Sequence, residues 1–386
     1  MKKSYLRLTV MMSSFLLALV SVCIPAAFAE ETDIPKWVKT VKVKGDLRLR
    51  YQLDQQEDST GKEKPDQSRG RMRARVGIGA EVTDGVKVAI GLASGSDDPR
   101  STNQTFENSS SSKGINLDYA YAEIKLAEPL TLFGGKVIRK EVIWEPSDLL
   151  WDSDINVEGG AVVLEMGPVF LNTGVFILDE NKANSDPTMY VVQPGVELKM
   201  GNLSIKGAIA YYAFSGVKGK VLDHTTATNS LTPNTSPPNT PSNSKLKYDY
   251  DAISPAIEIA LKMGGMLPHA ALFGEYVDNS DPSNDNTGFL VGLEFGAKKV
   301  EDAGQWQFAY MYRELEKDAW LDILPDSDFA GGKTGYNGHE VIVQVGLKKN
   351  VVFGLDYYMA ERIKNNLGSK DNKTGDVLQA DLMMKF

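Results

Sequence analysis

The chain has 386 residues, 42% of them hydrophobic and 24% charged, with a formal net charge of −9 at pH 7. An acidic balance argues against a nucleic-acid partner, because phosphate backbones are bound by an excess of Lys and Arg. Cys23 is the only cysteine, which excludes a disulfide within the chain.

The first 29 residues have the pattern of a secretory signal. Three basic residues precede an apolar core from Val10 to Val22, and Ala27-Phe28-Ala29 supplies small residues for cleavage after Ala29. An uncleaved membrane anchor is the alternative, and the short apolar core disfavours it. Residues 30–42 form a short polar lead-in that we expect to lie in the periplasm. No later run of about 18 apolar residues predicts a membrane helix.

The first two predicted strands, 43–52 and 69–82, alternate between unlike faces. In 69–82 the even positions are small or apolar, while the odd positions begin with four arginines. A period of two is typical of a β-strand. No dry core accommodates such a row of guanidinium groups, since an unpaired buried charge costs several kcal/mol. The pattern predicts a wall with hydrocarbon on one side and water on the other, as in a membrane β-barrel.

The same alternation continues to the C-terminus, where Leu378, Ala380, Leu382, Met384 and Phe386 share one face. The predicted strands are 43–52, 69–82, 86–94, 117–126, 130–137, 160–166, 169–178, 189–200, 203–212, 253–262, 270–277, 287–296, 305–314, 339–348, 351–361 and 376–386. Their connections are predicted to alternate strictly between long and short, and 213–248, rich in Pro, Asn, Ser and Thr, is interpreted as a loop rather than a domain linker.

This pattern predicts an all-β fold. Residues 43–386 should form a transmembrane antiparallel β-barrel of about 16 strands, with short periplasmic turns and long extracellular loops.

Two segments carry a resemblance to a known family. Gly45–Tyr51 reads GDLRLRY and Arg69–Gly77 reads RGRMRARVG. With the terminal Phe386, they resemble the Gram-negative putative porin family over essentially all of 43–386. The resemblance implies a sixteen-stranded outer-membrane porin that forms a homotrimer among outer-membrane lipids. It also implies that the third long loop, about 138–158, folds into the lumen as a constriction.

Two sets of charged residues are the candidate site. The first strands are expected to line the pore with basic side chains: Lys44, Arg48, Arg50, Arg71, Arg73, Arg75 and Lys87. The constriction loop is expected to oppose them with acidic side chains: Glu141, Glu145, Asp148, Asp152, Asp154 and Glu158. Together they would form a narrow wet slot with an electric field across it. The alternative is that the arginines pair with acids of the wall while the loop acids face solvent outside.

Other chemistry is weakly indicated. His224, His269 and His339 show no metal-ligand spacing, and no catalytic residue, metal or cofactor is predicted. We expect a porin, not an enzyme, that passes small hydrophilic solutes and ions by passive diffusion. A substrate-selective anion channel is one alternative, and a secreted soluble β-sheet binding protein is another.

Overall fold

The computed structural model describes residues 40–56, 65–181, 185–232, 245–363 and 375–386. The predicted signal segment 1–29 and most of the predicted lead-in 30–42 lie outside these residues. Residues 40–42 belong to the first strand and not to a separate lead-in. Within the described residues, no helix is long and apolar enough to span a membrane.

The described residues form sixteen long antiparallel strands that close into a barrel. The strands are β1 (Thr40–Gln56), β2 (Gln67–Thr83), β3 (Val86–Ser94), β4 (Ile115–Ala127), β5 (Leu130–Ile138), β6 (Asn156–Met166), β7 (Val169–Ile177), β8 (Thr188–Met200), β9 (Leu203–Ser215), β10 (Ala252–Lys262), β11 (His269–Asn279), β12 (Thr287–Gly296), β13 (Trp306–Leu315), β14 (Tyr336–Lys348), β15 (Val351–Arg362) and β16 (Gly375–Lys385). A two-residue strand, Gln104–Thr105, adds to β2. The prediction of an all-β barrel with 16 strands is confirmed.

The wall separates apolar from charged side chains as the alternation predicts. Val43, Ile78 and Ile90 are 60%, 52% and 54% exposed on the outer face. On the inner face, Arg48 and Arg73 are only 9% and 8% exposed. The outer face can therefore meet hydrocarbon while the charged side chains remain inside.

The connections follow the predicted alternation with one exception. Short turns such as 84–85, 128–129 and 349–350 lie at one rim, and long loops such as 95–114 and 316–335 lie at the other. However, the turn 297–305 is longer than the loop 280–286, so the prediction of strict alternation is wrong there. This turn is stabilised from within, because the Gln305 side-chain oxygen accepts hydrogen bonds from the backbone N–H groups of Glu301 and Asp302, at 2.8 and 3.0 Å.

The barrel closes where β1 pairs with β16. The pairing extends to the terminal residue, because Gly45 and Phe386 exchange two backbone hydrogen bonds of 2.8 and 3.0 Å. The Phe386 ring lies over Gly45, and a Cβ at that position would lie 2.4 Å from the ring. Gly45 is therefore required where the aromatic end of the chain covers the seam.

Loops fill one side of the barrel interior with an apolar core. Trp320, from the loop after β13, is fully buried and packs edge-on against Tyr212 and Phe214, with ring centroids 4.8 and 5.4 Å apart. Trp151, from the loop after β5, lies 6.0 Å from Trp320. The core backs onto β9 and its neighbours, so the opposite side, formed by β1 and β2, is the more polar part of the lumen.

A third loop holds this core in place. Asp322 is 1% exposed and accepts hydrogen bonds of 2.8 and 3.0 Å from the hydroxyl groups of Thr225 and Thr226. The backbone N–H of Thr228 adds another, at 2.8 Å. The loop after β9 is thereby fixed to the loop after β13.

Candidate functional site

Five of the six arginines on the inner face of β1 and β2 form one cluster, and the sixth, Arg69, pairs separately with Asp54. In the register of the two strands, Arg48 lies opposite Arg73 and Arg50 lies opposite Arg71, with Arg75 next along β2. The alternation of side chains along each strand places these arginines on one face, and the pairing of β1 with β2 brings them close together. Like charges directly opposite each other destabilise a strand pair, so such a wall needs acidic partners.

Two acids of the wall itself supply part of this compensation. Asp46 on β1 bridges Arg73 and Arg75, each at 2.8 Å. Asp381 on β16 receives both the Nε and Nη2 groups of Arg50, at 2.8 Å each. Pairing with structural acids, the alternative considered from the sequence, therefore does occur.

Two loops supply the rest. Asp154, from the loop after β5, lies 3.3 Å from Arg75 and 4.0 Å from Arg73. Asp328, from the loop after β13, lies 3.0 Å from Arg50. The arginine wall is thus held between acids of the barrel and acids of two inward-folded loops.

The two predicted lysines lie nearer the short-turn rim. Lys44 lies 6.0 Å from the centre of the Tyr119 ring. Lys87 is half-exposed and pairs with Glu123 at 2.6 Å. Between this level and the Arg75–Asp154 contact is a cavity of about 420 Å³, lined in part by Lys44 and Lys385. A second, of about 240 Å³, is lined in part by Lys87.

The segment 139–155 runs through the barrel interior. Its Trp144 backbone exchanges hydrogen bonds of 2.8 and 2.6 Å with the Gln193 side chain of β8. Ser147 donates to Glu275 of β11 at 2.6 Å, and Asp154 reaches β2. Contacts with inward-facing side chains of three well-separated strands place the segment across the lumen.

The acids predicted for this segment fall into different surroundings. Glu145 is buried in an ion pair with Arg139, and Asp148 pairs with Arg313 of β13 at 2.8 Å. Glu141 ends a 3-10 turn and is exposed. The structure thus brings only Asp154 of this set to the arginine wall.

Asp152 is buried and accepts hydrogen bonds from the backbone N–H groups of Asp154 and Ser327, at 2.9 and 2.8 Å. Burial, with the nearby charge of Asp154, raises the pKa of Asp152 to about 7. Its carboxyl group joins the two inward-folded loops and does not face the wall.

The prediction that Glu158 is an acid of the constriction loop is wrong. It lies within β6, not in the loop, and it pairs with Lys136 of β5 at 2.7 Å. Val157, its neighbour, is buried in the interior core. Because adjacent side chains of a strand point to opposite faces, Glu158 points away from that core. It is therefore not a constriction acid.

The loop after β13 is a second source of interior acids, which was not predicted from the sequence. Besides Asp328, this loop places Asp326 at 3.4 Å from Arg313, which also pairs with Glu340 of β14. The composition of this loop could have indicated it, because four aspartates and a tryptophan between 318 and 328 resemble the composition of 138–158.

The acids around Arg313 also satisfy a geometric condition for a cation site. One ligand atom from each of Asp148, Asp326 and Glu340 lies within 4.8 Å of the others. Arg313 pairs with all three, so a guanidinium group already supplies the positive charge there.

The closed barrel with its inward-folded loops can now be compared with known proteins. The profile of the family described as "Putative porin" matches residues 56–245 and 239–386. The chain belongs to the putative porin family. It is an outer-membrane channel for the diffusion of solutes, and the predicted resemblance is confirmed. The alternative of a secreted soluble β-sheet binding protein is set aside.

Solved porin structures share the fold of this porin at low sequence identity. OprB of Pseudomonas putida, in its high-pH structure, is 10% identical, with a TM-score of 0.57 over 90% of this chain and 94% of that one. OmpF of Salmonella typhi, in complex with daunomycin, is 10% identical, with a TM-score of 0.50 over 90% and 97%. At this identity the likeness concerns the fold alone. No match was found among curated proteins.

Proposed function

We propose that this porin is a general diffusion channel for small hydrophilic solutes and ions, with its passage along the arginine wall of β1 and β2. Arg48, Arg50, Arg71, Arg73, Arg75, Lys44 and Lys87 line this passage. The segment 139–155 narrows it chiefly through Asp154. The loop after β13 contributes Asp328 to the same constriction.

The contact between Arg75 and Asp154 carries this proposal. The Arg75 side chain is 33% exposed, whereas that of Asp154 is 8% exposed and fixed by Thr102, whose backbone N–H and hydroxyl donate to it at 3.1 and 2.9 Å. Asp154 and the partly exposed Arg75 are in direct contact at 3.3 Å, so solutes would pass beside the pair, where these opposite charges set a field. Such a field favours polar solutes, which can exchange for oriented water, over apolar ones.

The experiment is planar-bilayer recording of the refolded protein under a salt gradient. Wild type should form channels whose conductance rises linearly with the concentration of potassium chloride. Replacing Arg71, Arg73 and Arg75 with glutamine should shift the reversal potential toward cations. An unchanged reversal potential would remove these arginines from the conducting path, and an absence of channels would refute the proposal as a whole.

A substrate-selective anion channel is the second candidate. The observation that favours it is a surplus of arginine over carboxylate on the wall. Conductance that saturates with the concentration of one anion would favour this candidate over general diffusion.

We further propose that the mature chain begins after Ala29 and assembles as a homotrimer in the outer membrane. N-terminal sequencing of protein extracted from outer membranes tests the cleavage site. Crosslinking in native membranes, followed by electrophoresis with and without heating, tests the trimer.

A further inference from the structure

Arg71 differs from its neighbours because none of the described acids is in ion-pair contact with it. Within the described ranges, no carboxylate lies within 4 Å of its guanidinium group, whereas Arg48, Arg50, Arg73 and Arg75 each have at least one. Its partners are neutral: the Gln52 side-chain oxygen at 2.9 Å and the Ser101 hydroxyl at 3.4 Å. Its Nε group is buried and has no hydrogen-bond partner in the part of the chain that the structure describes.

Arg48, diagonal to Arg71 in the register, is only partly compensated. Its strongest contact is with a neutral acceptor, the Asn103 side-chain oxygen, at 2.7 Å. Asp381 lies 3.6 Å away, with both of its oxygens bound at 2.8 Å by Arg50. Arg48 is 9% exposed, and its Nε group also lacks a hydrogen-bond partner among the residues described. The charge of this buried guanidinium group is therefore only partly compensated, so a bound anion would stabilise it.

The charge balance of the arginine wall also indicates a site for an anion. Five arginines, Arg48, Arg50, Arg71, Arg73 and Arg75, have four carboxylates within 4 Å among the described residues: Asp46, Asp154, Asp328 and Asp381. One singly charged anion would balance the set. The surplus lies at Arg71, whose hydrogen-bond partners in the described part of the chain are neutral and on which Asp328 and Asp54 act only from a longer distance.

We propose that Arg48 and Arg71 form a binding subsite for a small carboxylate solute. The neighbouring arginine supplies the geometry: Arg50 holds the Asp381 carboxylate through two parallel hydrogen bonds of 2.8 Å. The same planar fork is present on Arg71, where Ser101 makes only a 3.4 Å contact. A bound carboxylate takes the place of the neutral acceptors Ser101 and Asn103, both of which belong to the loop after β3.

This subsite rests on the second candidate of the proposed function, the substrate-selective anion channel, and it lies along the same proposed passage. In β2, Arg71 stands between the long-loop end of the strand and the cavity beside Arg73 and Arg75. A carboxylate entering from the long-loop rim would meet Arg71 before it reached that cavity. Binding at this point makes permeation saturable, because one solute must leave before the next can bind.

The test measures single-channel conductance of the full chain in planar bilayers with increasing potassium acetate. Wild type should show conductance that saturates with acetate. Arg71→Gln keeps the length of the side chain and can still bond to neutral neighbours but loses the charge. Losing a charge-assisted hydrogen bond should raise the half-saturating acetate concentration about tenfold or more. Asn103→Ala, which removes a competing neutral acceptor, should lower it.

Arg69→Gln is the matched control, because it removes an arginine of the same strand face that already has a carboxylate partner, Asp54, at 2.6 Å. Its half-saturating concentration should stay within about twofold of wild type. If Arg71→Gln does not assemble, Arg48→Gln takes its place with the same expected direction. Channels that conduct acetate linearly, or that saturate equally in the arginine variants, would overturn the subsite and leave the channel intact. A protein that forms no channels would overturn the proposed function itself.

Discussion

Neutralising Asp154 is the sharpest way to test the slot. Asp154→Asn keeps the shape of the side chain and an oxygen that can accept from Thr102, while it removes the negative charge 3.3 Å from Arg75 and 4.0 Å from Arg73. If ions pass along the arginine wall, they pass close to this carboxylate. The variant should therefore favour anions.

The size of the effect follows from the distances. A unit charge about 4 Å from a passing ion contributes about 1 kcal/mol in water, and a Debye length of about 10 Å at 0.1 M salt reduces this to about 0.7 kcal/mol. The sign is opposite for anions and cations, so the difference between them changes by about 1.4 kcal/mol. The permeability ratio should shift about tenfold toward anions.

The assay is the reversal potential in a potassium chloride gradient at 0.1 M and at 1 M salt. The shift should shrink at the higher concentration because the screening length shortens. Glu158→Gln is the control, since it removes the same charge from a residue outside the slot and should leave selectivity unchanged. A zero shift for Asp154→Asn, or equal shifts for both variants, would refute the assignment of Asp154 to the passage.

Three further outcomes are expected. Gly45→Val should lower the folded fraction in a heat-shift electrophoresis assay, since its side chain would collide with the terminal ring, while Gly134→Val, with no atom within 4 Å of the added Cβ, should fold normally. Trp320→Ala should lower the free energy of unfolding in urea by about 3–5 kcal/mol and increase conductance noise, whereas Trp306→Ala, at a side chain that is 37% exposed, should do neither. Burial raises the pKa of Asp152 to about 7 from its ordinary 3.8, so the folded chain holds a proton that the unfolded chain has released between these values. Stability should therefore fall as pH rises through that window, and Asp152→Asn should flatten the slope in urea unfolding.

The wall of the barrel was predictable from local sequence. Strands such as β3 and β12 begin and end where the alternation predicts, at Val86–Ser94 and Thr287–Gly296. The reason is physical: each residue of a wall between lipid and water is selected by the face to which it points, and a period of two is readable within a few residues. Errors are confined to strand ends, as in β6, which begins at Asn156 instead of residue 160.

The interior was less predictable because it depends on contacts between distant parts of the chain. The expectation that acids of 138–158 oppose the arginines matches the position of Asp154. However, Glu145 pairs with Arg139 of the same segment, and Glu158 belongs to a strand. Asp328 was missed because the composition of its loop resembles that of 138–158 but does not by itself show where the loop runs. The burial of Trp320 against Trp151 and the ion pair between Asp328 and Arg50 hold the loop inside the barrel.

The joining of the inward-folded loops has a consequence for how the molecule matures. Trp320 donates a 2.7 Å hydrogen bond to the Leu150 carbonyl, 170 residues away in the sequence. Contacts of such separation form late, because the ends of a long chain segment must first be brought together. The barrel wall brings the two loops together, so the wall must form before the loops inside it reach their final contacts. A newly inserted barrel should thus have a higher conductance at first and a lower conductance afterwards. Tryptophan emission should change more slowly than β-structure appears.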